Sequence, residues 1–320
     1  MSGAARVAGE SRRSRAGVLS SAKSFFLPLG PAIDRDGVRG YPIDLRVKAR
    51  TTNWPPPEVA VGPRYVAAAQ YGLGAHERWL AGEGERWLAA ARAVGEFLVT
   101  EQEPDGSWLH REPFAHTFPL PAPWRCGLAQ GEAASLLVRL HGAVGDAAFA
   151  DAARRALRPL LLPREDGGVC AQLGGRPWPE EYPTARPSFV LNGAIFAVWG
   201  FRDVGIALDD AAASAAFVEG VDSVAANLHR FDTGWWSLYS LYPHPLRGVA
   251  SSFYHDLHIV QLAALDLLAS RPEFAPARER WEAYAGSVWC RRRAFASKVV
   301  FRMIVPRNRL LAHRLPWTRL

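Results

Sequence analysis

The sequence predicts an all-α fold: an incomplete (α/α) toroid, or barrel, of about four helical hairpins with an extended N-terminal arm. Three observations predict it. From about Gly62 onward, apolar residues recur at helical spacing and β-branched alternation is scarce. Stops at Gly, Pro and Asp divide that stretch into four helix pairs, whose first members begin near Arg64, Arg125, Ser188 and Ser251, about 62 residues apart. Finally, AQYG (69–72), LAQG (128–131) and VLNG (190–193) repeat one element, and the next step lands on Tyr254. Gln70, Gln130, Asn192 and Tyr254 should then occupy similar positions on successive inner helices around a shared centre.

Taken in order, residues 1–60 form a basic arm in which GYPIDLRVKARTTNWPPP (40–57) reads as extended chain with one strand. Residues 61–285 form the helical domain, with second members of the pairs beginning near Glu85, Asp146, Asp210 and Pro272. Links within pairs are short, whereas those between pairs are long, at residues 103–123, 164–187 and 231–249. Alternation of direction places all three long loops on one face, where binding and chemistry concentrate on a rigid scaffold. QEPDGSW (102–108) reads as an α/α turn in which Trp108 plugs a helix end. Trp124, Trp178, Trp235 and Trp236 lie in the same loops and suit a surface that stacks on sugar rings.

Residues 286–320 form a basic tail with a helix. From Arg291 to Leu320 there are nine Lys or Arg and no acidic residue, which leaves 29 basic against 31 acidic residues elsewhere. The formal charge of +7 therefore sits at the chain ends and not in a stripe, which argues against nucleic acid. SKVVFRMIVP (297–306) either lies along a membrane surface or packs on the domain as a last helix. Cys126, Cys170 and Cys290 form neither a disulfide framework nor a metal pair, so a reducing compartment is expected. With no signal-peptide core and no spanning stretch, the expected location is the cytoplasm, peripheral at the membrane if the tail docks.

EEYPTARPSFVLNG (180–193) places Glu180, Glu181 and Tyr182 at the rim just before the third inner helix, with Ser188 as its expected N-cap. FDTGWWSLYSLYPHP (231–245) brings Tyr239 and Tyr242 to the same face, and Tyr254, His255 and His258 begin the fourth inner helix. The two histidines have metal-ligand spacing but no third ligand, so packed or substrate-bonding imidazoles are expected and no metal. There is no nucleophile elbow, P-loop or dinucleotide fingerprint, and no cofactor is expected. Tyrosines, a carboxylate and histidines around a sugar-sized hollow suit proton transfer at carbon next to a carboxylate, as at C5 of a uronic acid. A tyrosine would need a cation nearby to ionise, and Arg125, His255 or His258 could serve.

These residues carry a family resemblance. Over Tyr65 to Tyr284 the chain resembles the C-terminal catalytic region of D-glucuronyl C5-epimerases, through AQYGL (69–73), LAQGEAASLLVRL (128–140), EEYPTARPSFVLNG (180–193), DTG (232–234) and YHDLHIVQL (254–262). The resemblance implies an α/α catalytic domain and cofactor-independent conversion of D-glucuronic to L-iduronic residues in a polysaccharide or lipid-linked oligosaccharide. It implies catalytic roles for Glu181, Tyr182, Tyr239 and Tyr254, and a substrate contact for Asn192. Tyr254 and Glu181 are the expected acid–base groups, with Tyr182 and Tyr239 orienting the sugar. Gln130, Arg125, Trp124, Trp178, Trp235, Trp236, His255 and His258 are further expected substrate contacts.

Two departures bear on the substrate: Tyr242 stands where the family has Arg, and LHREPFAHTF (109–118) carries fewer positive charges than its family counterpart. Both favour an unsulfated uronic acid. The N-terminal β domains and anchor of animal-type members have no expected counterpart. A lyase on the same scaffold and a non-catalytic glycan-binding toroid are the alternative readings.

Overall fold

The computed structural model describes residues 27–52, 64–115 and 117–306. After a short helix α1 (Lys48–Thr51) come four helical hairpins. They are α2 (Arg64–Leu80) with α3 (Arg86–Glu101), α4 (Gly127–Val144) with α5 (Ala147–Ala156), α7 (Leu191–Ala207) with α8 (Ala211–Asn227), and α9 (Ser252–Ala269) with α10 (Phe274–Gly286). The long links hold small elements: β1 (Phe114–Ala115) paired with β2 (Pro119–Leu120), the single turn α6 (Arg158–Leu161), and β3 (Cys170–Leu173) paired with β4 (Arg176–Pro179). A last helix, α11 (Val288–Ile304), follows. Each helix of the four hairpins begins within three residues of the start predicted from sequence. The reason is local: Asp146, Asp210 and Ser251 cap α5, α8 and α9 through their side chains.

The inner helices α2, α4, α7 and α9 pack in that order, and no extensive packing of α9 onto α2 closes the ring among the described residues. The fold is thus an open all-α barrel of four hairpins. Inner helices α4 and α7 bury 14 of 18 and 15 of 17 residues, as largely apolar helices do when neighbours surround them. Outer helix α3 buries one stripe, Ala91, Val94, Gly95 and Leu98. α4 and α7 cross backbone to backbone. A Cβ on Gly131 would lie 2.5 Å from Ala197 Cα, and one on Gly200 2.6 Å from Gly131 Cα.

Because the inner helices run the same way, the barrel has two unlike ends. Residues 27–52 close the end where these helices finish. Tyr41, Ile43 and Leu45 are buried there, and Tyr41 N–H donates to Glu77 at 2.7 Å. Arg139 on α4 pairs with Asp203 on α7 at 2.6 Å and donates to Gly40 O, while Arg202 donates to the carbonyls of Asp34, Arg35 and Gly37. The buried charges of Arg139, Arg202 and Asp203 are therefore paired, as burial requires. The predicted strand in this segment is reduced to one isolated bridge, Leu29 to Ile43. Residues 1–26, 53–63 and 307–320, including much of the basic arm and tail, lie outside the described residues.

The opposite end, where the inner helices begin, carries the long loops. Trp108 plugs a helix end of the first hairpin as expected: it is fully buried and its indole donates to Leu98 O near the end of α3. Among the described residues, no helix is long and apolar enough to cross a membrane.

Candidate active site

Neighbouring carboxylates in EEY do different work. Glu180 is a loop clamp. Its side chain accepts from Ser188 N–H, Ser188 Oγ and Phe189 N–H, and its own carbonyl accepts from Gly127 N–H at the start of α4. Ser188 therefore does not cap α7. Phe189 turns the chain with φ 46°, and Val190 becomes the N-cap position. Burial pushes Glu180 up to about 7 against those three donors.

Glu181 faces the interior. It is buried against Gly193 on α7, where a Cβ would lie 2.5 Å from both its Cβ and its Oε2. The Tyr182 hydroxyl lies close enough to influence its carboxylate, and Tyr239 lies between Tyr182 and Tyr254, which stands in the first turn of α9. Since a phenol donates only once, Tyr182 can donate to an ionised Glu181 or to Tyr239 but not to both. The Tyr239 and Tyr254 ring centroids are 4.7 Å apart, and both residues are partly exposed. Burial pushes Glu181 up to about 7, opposed by the Tyr182 bond, and raises Tyr182 and Tyr239 well above a free phenol, with Glu181's charge adding to both. The carboxylate thus titrates near neutrality while those two phenols stay protonated.

The loop between the first and second hairpins supplies what sequence reasoning missed. Phe114 and Phe118 hold the Tyr182 ring between them, with centroids at 5.3 and 5.1 Å. Phe118 also touches Tyr239, Tyr242 and His244. Paired Phe residues four apart in an otherwise polar loop were the available signal.

The expected cations are elsewhere. Arg125 turns outward to Asp105 at 2.7 Å. His255 and His258 are fully buried and share the Ser237 hydroxyl at 2.8 and 2.9 Å. Ser237 N–H also donates to His255 Nδ1, so His255 carries its proton on Nε2 and donates it to Trp281 O at 3.0 Å. Burial holds His255 near 4 and His258 well below the usual range, so both are neutral and clamp the 231–250 loop. The cations beside the tyrosines come instead from α11. Lys298 donates to Val249 O at 2.7 Å and lies 5.8 Å from the Tyr239 ring centre. Arg302 donates to Thr117 Oγ1 at 2.8 Å, and both cations help hold His244 down to about 4, after burial.

The other expected contacts divide. Gln130 is fully engaged: its amide holds the carbonyls of Gly106 and Ala156 and accepts from Trp108 N–H. Trp178 stacks on Phe231, and Trp236 stacks on His255 with its indole donating to Ala250 O. Both are buried plugs over helix ends, which corrects the expectation that they present a sugar-stacking face. Trp124 is largely buried beside Tyr182, and Trp235 is partly exposed under the Arg293 guanidinium. Asn192 opens α7, and its buried Oδ1 has no partner. Behind Glu181, Glu132 on α4 accepts from Gln70 at 3.0 Å, and burial pushes it up to about 8 despite Gln70 and Lys48.

Residues 102–283 match a family described as D-glucuronyl C5-epimerase C-terminus. A D-glucuronyl C5-epimerase of Caenorhabditis elegans is 29% identical over 220 residues, covering 63% of this chain and 36% of that protein. An uncharacterized protein of Methanocaldococcus jannaschii is 26% identical over 195 residues, 56% of this chain and 62% of the relative. The chain thus spans about a third of the first relative's length and under two thirds of the second's. Among solved structures, the unsaturated glucuronyl hydrolase of Bacillus sp. GL1 aligns with a TM-score of 0.42 at 15% identity, over 74% of this chain and 62% of that one.

Proposed function

The chain belongs to the D-glucuronyl C5-epimerase C-terminus family, and from that premise we propose that it is a uronic acid C5-epimerase. It would convert D-glucuronic to L-iduronic residues in an unsulfated polysaccharide or lipid-linked oligosaccharide. The observation that carries this reading is the close cluster of Glu181, Tyr182, Tyr239 and Tyr254 at the loop-bearing end of the barrel.

The reaction breaks the C5–H bond, moves its electron pair into the sugar carboxylate as an enediolate, and returns a proton to the opposite face of C5. Glu181 supplies the basicity near neutral pH, and the Tyr182 hydroxyl carries it toward the sugar. Tyr254, at the far end and partly exposed, is the second acid–base group, and Tyr239 between them orients the ring. This refines the sequence expectation by placing Glu181 behind Tyr182. The developing enediolate needs positive potential. Lys298 and Arg302 provide it, aided by the N-terminal ends of α7 and α9. Catalysis is assigned to the unit 61–285, with α11 completing its rim.

The test is incubation with an unsulfated glucuronic acid polymer in heavy water, followed by NMR at C5. Deuterium at C5 together with iduronic signals supports the proposal. Unsaturated chain ends would install the lyase reading instead. Absence of exchange across a panel of uronic acid glycans, with glycan binding retained, would leave the binding toroid.

A further inference from the structure

α11 has two working faces. Cys290, Ala294 and Phe301 pack inward, and Lys298 and Arg302 reach the tyrosine site. The opposite face carries Val288, Trp289, Phe295, Val299, Val300 and Met303, all exposed, with Phe295 at 73% and Met303 at 78%. At 3.6 residues per turn these six fall within an arc of about 140°, opposite the buried face. Arg291, Lys298 and Arg302 run along one edge of that arc, Arg293 lies on the other edge, and Arg292 sits inside it. Phe295, Lys298, Val299, Arg302 and Met303 line one continuous shallow groove.

We propose that this face of α11 docks on an anionic lipid bilayer, lying in the plane of the headgroups. Three arguments favour that occupant. The face is cationic and no acidic residue follows Arg291, so a second copy of the helix would be repelled. The chain's own undescribed ends are basic too, with Arg307, Arg309, Arg314 and Arg319 beyond the helix and only Glu10 against five cations before residue 24, so they do not complement it. A wide apolar arc of Trp, Phe, Val and Met between arginines is the pattern by which a helix buries one side among acyl chains while its cations meet phosphate and carboxylate headgroups. Because the same helix borders the tyrosines, docking would turn the site's rim toward the bilayer and toward a glycan tethered there. That last consequence rests on the epimerase reading, whereas the docking does not.

The test is flotation of the full chain with vesicles of phosphatidylcholine alone and with phosphatidylserine at about one part in three. Binding to the anionic vesicles only, weakened by salt, is expected. A Phe295→Ser, Met303→Ser double variant should lose partitioning on the order of tenfold or more while turning over a soluble polymer as before. Val218→Ser, which removes an exposed apolar residue on α8, should bind as the parent does. No binding to anionic vesicles overturns the proposal, as does full binding by the double variant. A parent dimer that converts to monomer in the double variant would overturn it in favour of self-association. Should that variant not fold, Met303→Cys carrying an environment-sensitive dye reads insertion directly: a blue shift on anionic vesicles is expected, and its absence sinks the idea. Epimerase activity, present or absent, leaves the flotation, oligomer and dye readouts unchanged.

Discussion

The carboxylate of Glu181 occupies the space that a side chain on Gly193 would need, with Oε2 2.5 Å from where a Cβ would stand. Alanine at a helical glycine ordinarily adds up to about 1 kcal/mol of stability. Here Gly193→Ala should displace Glu181 and cut C5 exchange by on the order of 10²-fold, with circular dichroism unchanged. Parent-like exchange would mean that Glu181's position does not matter to the reaction.

Activity should rise with pH through about 7, as Glu181 loses its proton and becomes an acceptor for the Tyr182 hydroxyl. Glu181→Gln should abolish that rise and lower kcat by about 10²- to 10⁴-fold. Tyr254→Phe should cause a loss of similar size with glycan affinity largely kept, since the phenol acts on the transition state. A pH profile for Glu181→Gln that matches the parent's would reassign the base.

Glu132 offers a stability readout separate from turnover. Its folded pKa is raised to about 8 from 4.5, so the folded state holds a proton that the unfolded chain releases first. Stability from this site is fully present below about 4.5 and is lost as pH rises through about 8. Glu132→Gln can still accept from Gln70, so urea denaturation should find it close to the parent at pH ~4 and more stable at pH ~8, by roughly 2–4 kcal/mol. Equal stability of the two proteins at both pH values would count against a neutral buried carboxyl.

Lys298 and Arg302 should matter to substrate charge. Lys298→Met and Arg302→Met should each raise KM for a glucuronic acid polymer about tenfold and lower kcat/KM further, because an enediolate carries more charge than the carboxylate. Neutral KM values would place the substrate carboxylate elsewhere.

Ser237 joins two buried imidazoles through one hydroxyl. Ser237→Ala takes the hydroxyl from His258 Nδ1, while His255 keeps the residue-237 N–H, and should cost about 1–3 kcal/mol in thermal or urea unfolding. A shift below about 0.5 kcal/mol would mean that a water takes the hydroxyl's place.

Much of this molecule was legible in one dimension. Helical periodicity, the caps at Asp146, Asp210 and Ser251 and the step of about 62 residues are local properties, so the four hairpins and their loop-bearing end could be read directly. The family blocks pointed to Glu181, Tyr182, Tyr239 and Tyr254, which the fold brings into one cluster. Residue type misled where burial decides use. Trp178 and Trp236 look like sugar platforms and are plugs, and of the two uses open to His255 and His258, packing or substrate bonding, burial selects packing as loop clamps.

What the sequence determined by itself is whatever depends on neighbours within a turn or a loop: which segments are helices, where they stop and which end carries the long connections. The tertiary structure alone decided which charges meet. Arg125, next in sequence to a candidate wall, pairs outward with Asp105, while Lys298 crosses from the last helix to lie beside Tyr239, 59 residues earlier in the chain. Periodicity specifies which side of a helix is buried. It does not specify which distant side chain that face will meet, because that depends on how whole helices cross, and here on spaces as small as the missing Cβ of Gly193.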